Sequence, residues 1–575
     1  MSGFQVSPGV EVNERDLTNV VPAVSSSIGG ISGAFAWGPV EEIVNVGSEK
    51  ELVARFGKPT DTTYKYFMPA AQFLLYTNAL KVVRTNNAGL KNAAAGGEGI
   101  LVKNSDTYPN TTFAQDSYGE GFEFVAKYPG ALGNSLKVIV CTNEAAFDST
   151  TFAPFKGLFD FAPDMSTYAK ERGLVLNGTK DNGDEMHIVV LDSDGSWTGS
   201  VNTVLETFQG VSQASDARRD DGASNYYVDI LNRESKYVWF GLHDDELELA
   251  GEPVSDAPSG YLTIDTITTY QFGGGSSGTS ETPTIGELAD AYDLFGDAET
   301  TDVNFLIGAE VSGADAVAHA VTLIAIAESR KDVLAFVSPH ISATVNNVDA
   351  RANVIDWANP ITSSSYGVFD STALYVYDKY NDKYRWIVAS GGTAGLCAYT
   401  DSIADPWVSP SGFNRGQYRG VTKIAFNPKK ADRDELYKAR VNPIVAFPGE
   451  GIVLYGDKTA LKKPSAFDRI NVRRLFITLE KRVAVAAKFQ LFEFNDEFSR
   501  AQFKNLVEPF LRDVQGRRGV TDFAVICDET NNTGEVIDTN RFVADIYVKP
   551  TRSINFITLN FIATRSGIEF SEIVG

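Results

Sequence analysis

The stretch Gly451-x4-Gly456-Asp457-Lys458-Thr459 is a near miss to a phosphate-binding loop. Such a loop needs its lysine directly after the second glycine, so that backbone N–H groups and the ammonium converge on one phosphate. Here Asp457 intervenes and sets negative charge where an anion would sit. A strand followed by a turn is the plainer expectation for 451–459. The four histidines (His187, His243, His319, His340) stand apart, with no i,i+4 pair and no second ligand type beside them in an open motif. His319 lies in an Ala- and Val-rich helical stretch and reads as a packed core residue rather than a ligand. Serine hydrolysis would favour a Gly-x-Ser-x-Gly elbow, and no such elbow is read here. Carboxylates are plentiful but gather in one acidic region, where solvation accounts for them. The expectation is no enzyme, with no catalytic, cofactor or metal site.

Two constellations suit binding rather than catalysis. The first is Arg469, Arg473, Arg474, Lys481, Arg482 and Lys488. On a helix, Arg474, Lys481 and Lys488 recur every seven residues on one face, with Arg473 and Arg482 flanking. A solvated helix face, a docking face for an acidic protein and a nucleic-acid contact are the three readings, and the acidic protein is favoured. Few aromatics interleave these charges, no stacking platform is evident, and the whole chain is acidic; all three points argue against nucleic acid.

The second is the pair of chain ends. Phe4, Val6, Val10 and Val12 are apolar on even positions around Pro8-Gly9, a period-2 strand pattern. Near the other end, Ile554 and Phe556 fall on even positions and Leu559 and Phe561 on odd ones, which implies a bulge or burial on both faces. An unpaired strand must satisfy its N–H and C=O groups. Either the two arms pair within their own subunit, or each completes a sheet in a neighbouring copy.

These residues must be positioned by a large body. A chain of 575 residues exceeds one hydrophobic core and suggests roughly three or four folded units. Its composition, 43% hydrophobic and 22% charged, is that of a globular protein rather than a disordered or fibrous one. The net charge of -23 is concentrated: residues 98–300 hold 11 Lys and Arg against 34 Asp and Glu, whereas 411–520 hold 22 against 12. The acidic region is well solvated; the basic one could meet an acidic partner. Cys141, Cys397 and Cys527 are odd in number and far apart, so neither a disulfide framework nor a zinc cluster is expected. The first residues, MSGFQVSPGVEVNERD, lack the basic head and apolar run of a signal peptide, and no run approaches 18 apolar residues.

Along the chain, Ser48-x-x-Glu51 has capping-box spacing and opens a short helix ending near Gly57. A helix over 63–77 and a strand over 81–85 follow. Residues 92–99 (NAAAGGEG) read as a linker and 273–278 (GGGSSG) as a flexible connector, which makes 98–302 an inserted unit. From 303 the pattern is α/β: strand 303–307, helix 314–330 and strand 333–337 form a parallel βαβ unit. A helix over 346–358, a hairpin from 373–377 and 384–389, a charged helix at 430–440 and strands at 444–447 and 452–455 come next. Residues 469–494 give the longest helix, with Val472, Phe476, Leu479, Val483 and Ala487 on one side. A helix over 497–514 and strands over 523–527, 542–548 and 554–563 close the chain.

Several segments in fixed order resemble the contractile tail sheath proteins. They are Pro8-Gly9-Val10-Glu11-Val12, GAFAWGPV at 33–40, RFGKP at 55–59, AKYPGALGN at 126–134, PGEGIVLYGDKT at 448–459, INVRRLFITLEKRV at 470–483 and DVQGRRGVTDFAVICDETNN at 513–532. The resemblance covers both flanks and only parts of 98–300. It implies an α/β and α+β multidomain fold, with discontinuous inner domains built from both chain ends, a β-rich outer insertion and extended terminal arms. The units would be an arm at 1–22, a middle domain of 23–97 with 303–415, an acidic outer domain at 98–302, an inner tube-facing domain at 416–550 and an arm at 551–575. It further implies a virion-tail protein made in the host cytoplasm that forms stacked six-membered rings around a tail tube. The rings would be linked by exchanged strands (residues 4–12 and 554–561) and would contract to drive the tube through the host envelope. Its partners would be its own copies, the tube protein, and baseplate and tail terminator proteins, with no nucleic acid and no membrane insertion. Arg473 and Arg474 match the family's paired arginines; with Lys481, Arg482 and Lys488 they become candidates for the tube-facing or neighbour-facing surface. The short stretch between Gly99 and Phe122 implies that an outermost domain of larger relatives is reduced or missing. A nucleic-acid-binding virion protein and a multidomain extracellular adhesin or hydrolase are the alternatives.

Overall fold

A computed structural model describes residues 26–111, 122–173, 183–243, 250–256, 261 and 267–555. Phe4, Val6, Val10, Val12, Phe556, Leu559 and Phe561 lie outside the described residues. The chain divides into two compact units, one of Ser25–Ile403 with Pro410–Pro464, the other including Ala404–Ser409 and the chain from Ser465 on.

The larger unit is organised by a seven-stranded sheet. Val441–Asn442, Gly367–Asp370, Leu334–Val337, Phe305–Ile307, Gly29–Gly33 and Leu80–Arg84 lie side by side and parallel; Ile43–Val46 closes one edge antiparallel. Parallel strands are buried on both faces and need crossover helices, which explains their near-continuous apolar runs. The strand Gly29–Gly33 (GGISG) is rich in glycine because helices press on it from both sides. A Cβ at Gly33 would meet the Tyr66 ring at 2.5 Å and one at Gly29 the Phe73 ring at 2.6 Å, both from the helix Tyr64–Leu74. On the other face a Cβ at Gly30 would meet Phe295 at 3.3 Å. That face is packed by Leu288, Tyr292, Leu323, Ile324 and Trp357.

The expected βαβ unit is present as Phe305–Ile307, Asp315–Arg330 and Leu334–Val337. The helix Glu49–Phe56 begins at Ser48, whose side chain accepts the Glu51 N–H, and ends at Gly57 with φ +77. The hairpin Leu374–Asp378 and Lys383–Ile387 is antiparallel.

Within the acidic region, Thr268–Gln271, Leu136–Cys141, Glu185–Asp192 and Thr203–Ser212 make a four-stranded antiparallel sheet. The segments flanking the Pro129-Gly130 turn do not pair with each other: Phe124–Ala126 pairs with Val238–Phe240, and Leu136–Cys141 sits between Glu185–Asp192 and Thr268–Gln271. Nor are the two crossings into this region free linkers. Ala94 and Gly273 exchange both backbone hydrogen bonds at 2.9 Å, and Ser276–Ser277 pairs with Leu90–Lys91. The glycines here serve close approach: a Cβ at Gly99 would lie 2.1 Å from the Gly274 carbonyl oxygen.

The α/β body resumes before 303. The helix Ile285–Asp293 opens with a Thr284–Glu287 capping box, and its Tyr292 hydroxyl donates to the Ile307 carbonyl at 2.6 Å. Residues 416–464 also belong to this body rather than to the segment from 465 on. Val441–Asn442 extends the sheet, and Arg440 donates to the carbonyls of Ala358 and Ala460 at 2.7 and 2.8 Å.

Candidate assembly surfaces

The smaller unit holds the basic helix. Ile470–Lys488 packs on Glu497–Gly516, and both rest on a ribbon of two antiparallel strands, Val520–Ile526 and Asp545–Pro550. The shared core is Leu475, Leu479, Phe503, Val507, Leu511, Val514, Val520 and Val525, with Trp407 added from the short 404–409 segment. The side of the first helix that meets this core runs through Leu475, Leu479, Val483 and Ala487; Phe476 is only half-buried. The expected period is blurred because Ile470–Leu475 are buried all round. The second helix starts at Asp496, which accepts the Ser499 N–H at 2.8 Å.

The basic residues do not form one exposed face. Arg473 and Arg474 are 4% and 3% exposed. Arg473 reaches about two turns forward along the helix to Glu480 at 3.2 Å and lies over the Phe467 ring. Arg482 is half-buried against Phe510 at 5.6 Å; burial, then the nearby Arg517 charge, hold its affinity for the proton below the usual arginine range. Lys481 is half-buried and only Lys488, at the helix C-terminus, is exposed. The heptad Arg474, Lys481, Lys488 therefore runs from buried to exposed along the helix.

The helix also stops at Lys488, short of 494. Phe489, Leu491, Phe492 and Phe494 follow in a connection and Phe498 in the first turn of the next helix; among the described residues they are left exposed, at 63% to 105%. Past Lys488 a continued helix would bury nothing, and helices in proteins persist mainly through packing. Sequence reading missed this loop. Five large apolar residues within ten, interleaved with Glu493, Asp496 and Glu497, were the available signal.

The ribbon has one face on the core, through Val520, Val525, Ile546 and Val548, and one face outward, where Tyr547 is 59% exposed. Each of its strands pairs only with the other among the described residues. Ile554 follows the second strand and is 83% exposed, outside any strand.

Elsewhere the residues that could do chemistry are structural. Gly451–Leu454 is a strand and the turn after it is tied down: the Lys458 ammonium donates to the Tyr437 carbonyl at 2.8 Å, capping a helix end, and Asn442 accepts the Lys458 N–H at 2.7 Å. Gly274-Gly275-Ser276-Ser277-Gly278 does spell Gly-x-Ser-x-Gly, yet Ser276 lies in a strand pairing rather than a strand-to-helix elbow, and its hydroxyl accepts the Gly278 N–H. His187 is buried among Phe147, Phe159 and Phe161; its Nδ1 accepts the Gly210 N–H, so Nε2–H donates to the Phe161 carbonyl. His319 packs on Tyr292 in the core, and His340 meets Ser342. Among the described residues no cluster of metal-ligating side chains occurs, and no helix is long and apolar enough to cross a membrane.

Comparison with known proteins agrees with this layout. Residues 287–460 match the phage tail sheath protein central domain and 462–564 the phage tail sheath C-terminal domain. The tail sheath protein of Vibrio phage KVP40 is 34% identical, the alignment covering 99% of this chain and 100% of that one. The tail sheath protein of Enterobacteria phage T4 is 32% identical, with 99% of both covered. The first alignment spans 680 positions against 575 residues here, so that relative carries insertions. In fold, the chain resembles the sheath tail proteins of Listeria innocua (TM-score 0.53, 12% identity, 92% of this chain and 96% of that one) and Desulfitobacterium hafniense (TM-score 0.50, 13% identity, 90% and 94%). Sustained identity of about a third along the whole length leaves one conclusion: the chain belongs to the phage tail sheath protein family, as a non-enzymatic structural subunit of a contractile virion tail.

Proposed function

We propose that copies of this sheath subunit stack as six-membered rings around a tail tube and are linked by exchanged terminal strands. The observation that carries this is the two-stranded ribbon of the smaller unit, whose outer edges have no partner strand among the described residues. An open edge presents a row of N–H and C=O groups that another strand can satisfy. Residues 4–12 and 554–561 have the alternation to do so. Backbone pairing through such arms would hold neighbours together while each body rotates. The smaller unit would face the tube, with Lys488 as its exposed basic contact and Arg473 and Arg474 holding the helix in place. The acidic insertion would project outward; baseplate and tail terminator proteins would bound the tube ends.

Deleting residues 1–22 or 551–575 tests the linkage. Folded subunits that no longer form hollow helical tubes by electron microscopy are expected. Intact tubes that still shorten, from either deletion, would overturn it.

A further inference from the structure

The loop over 489–496, with the first turn of the helix that follows, exposes Phe489 (73%), Leu491 (63%), Phe492 (105%), Phe494 (85%) and Phe498 (75%). Phe492 has φ +70, a left-handed conformation that a bulky residue rarely adopts, and among the described residues none covers it. The exposed apolar surface is on the order of 700 Å². Isolated proteins rarely leave a patch beyond a few hundred Å² uncovered, and about 800 Å² per partner is the size of a stable protein interface. The loop therefore has the area of a protein contact. Its only charges are Glu493, Asp496 and Glu497, so the complementary surface must be apolar with basic groups at its rim.

This chain carries such a surface elsewhere. Phe413, Phe447 and Tyr455 form an aromatic triangle with ring centroids 5.2 to 6.1 Å apart, and Phe413 and Tyr455 are 43% and 44% exposed. The Arg433 guanidinium lies 5.6 Å from Tyr455 and 5.9 Å from Phe447. Residues 411–440 hold eight Lys and Arg against three Asp and Glu.

We propose that the 489–498 segment of one subunit docks on the Phe413–Phe447–Tyr455 surface of a second copy. The occupant is a copy of this chain because the loop's acidic, apolar surface finds its complement on the chain itself, and the stacking proposed above would bring copies together. A contact between two different patches is heterologous, and such contacts propagate into rings or open helices instead of closing as dimers. The inference rests on the stacking proposed above.

The test uses Phe492→Cys in the full chain, carrying a maleimide–benzophenone probe; the native cysteines are all buried. Illuminating assembled subunits should give covalent chain-to-chain adducts whose cross-linked peptides map to 411–455. Adding Arg433→Glu should lower their yield at least tenfold. A folded Phe492→Cys chain that no longer assembles, with unchanged thermal stability, also supports the contact. Tubes without adducts, adducts mapping elsewhere, or adducts only with added tube protein would overturn it. Wild-type subunits run in parallel separate the two readings: no wild-type tubes would sink the stacking itself, whereas normal tubes without adducts would sink only this contact.

Discussion

Asp370 is fully buried at the carboxyl end of its strand. Its Oδ2 accepts from Ser338 at 2.6 Å, and its Oδ1 has no hydrogen-bond donor among the described residues. Burial pushes its carboxyl up to about 8, despite the Ser338 and Thr393 hydroxyls. The unfolded chain releases that proton near pH 4. Between these values the folded state binds more protons, so stability falls as pH rises. Asp370→Asn should raise stability by roughly 2 kcal/mol at pH 8 and by much less at pH 4, read from melting temperatures at the two pH values. His319 runs the opposite way. Burial lowers it to about 4, and its Nε2 has no hydrogen-bond partner among the described residues. Its contribution is present above about pH 6.5 and lost as pH falls toward 4, worth up to about 3 kcal/mol. His319→Leu should flatten that acid limb in thermal melts, and an unchanged slope would show that His319 does not carry it. Neither carboxylate position nor orphaned atom was legible in the sequence, because burial of Asp370 depends on Ser338, Thr393 and Tyr418 arriving from distant segments. The core role of His319 was legible, since a helix rich in Ala and Val has little else to bury.

Elements obey local rules where one face is buried and depart from them where burial is total or missing. The caps of Glu49–Phe56 and the βαβ unit around Asp315–Arg330 could be read directly from spacing. The face of Ile470–Lys488 could not, because its first turns are surrounded, and its end was misplaced because Phe489–Phe494 look like core yet stay exposed among the described residues. The glycine-rich crossings looked like linkers for a related reason: glycine marks both slack chain and tight contact. The central strand offers a clean test of the second role. Gly33→Ala places a methyl against the Tyr66 ring and should cost about 1–3 kcal/mol. Gly157→Ala, with nothing within 4 Å, should change stability little. Urea denaturation followed by fluorescence compares the two, and equal midpoints would contradict the close packing.

At the scale of the whole molecule, the acidic insertion carries a charge balance equal to that of the entire chain, so the remainder is near neutral and its basic stretch is offset elsewhere. Exposed ion pairs contribute only about 0–1 kcal/mol each. With the stacking proposed above, the energy for contraction would come from many small gains repeated over many copies, newly buried apolar area foremost. What lets the lattice shift without coming apart, in this account, is the ribbon of the smaller unit accepting strands from elsewhere. Helical reconstruction of tubes assembled from the purified full-length chain examines that ribbon directly. Strand exchange predicts four strands there, the outer two traced to residues near 4–12 and 554–561 of other copies. A ribbon left with two strands, or flanked only by arms of its own chain, would contradict it.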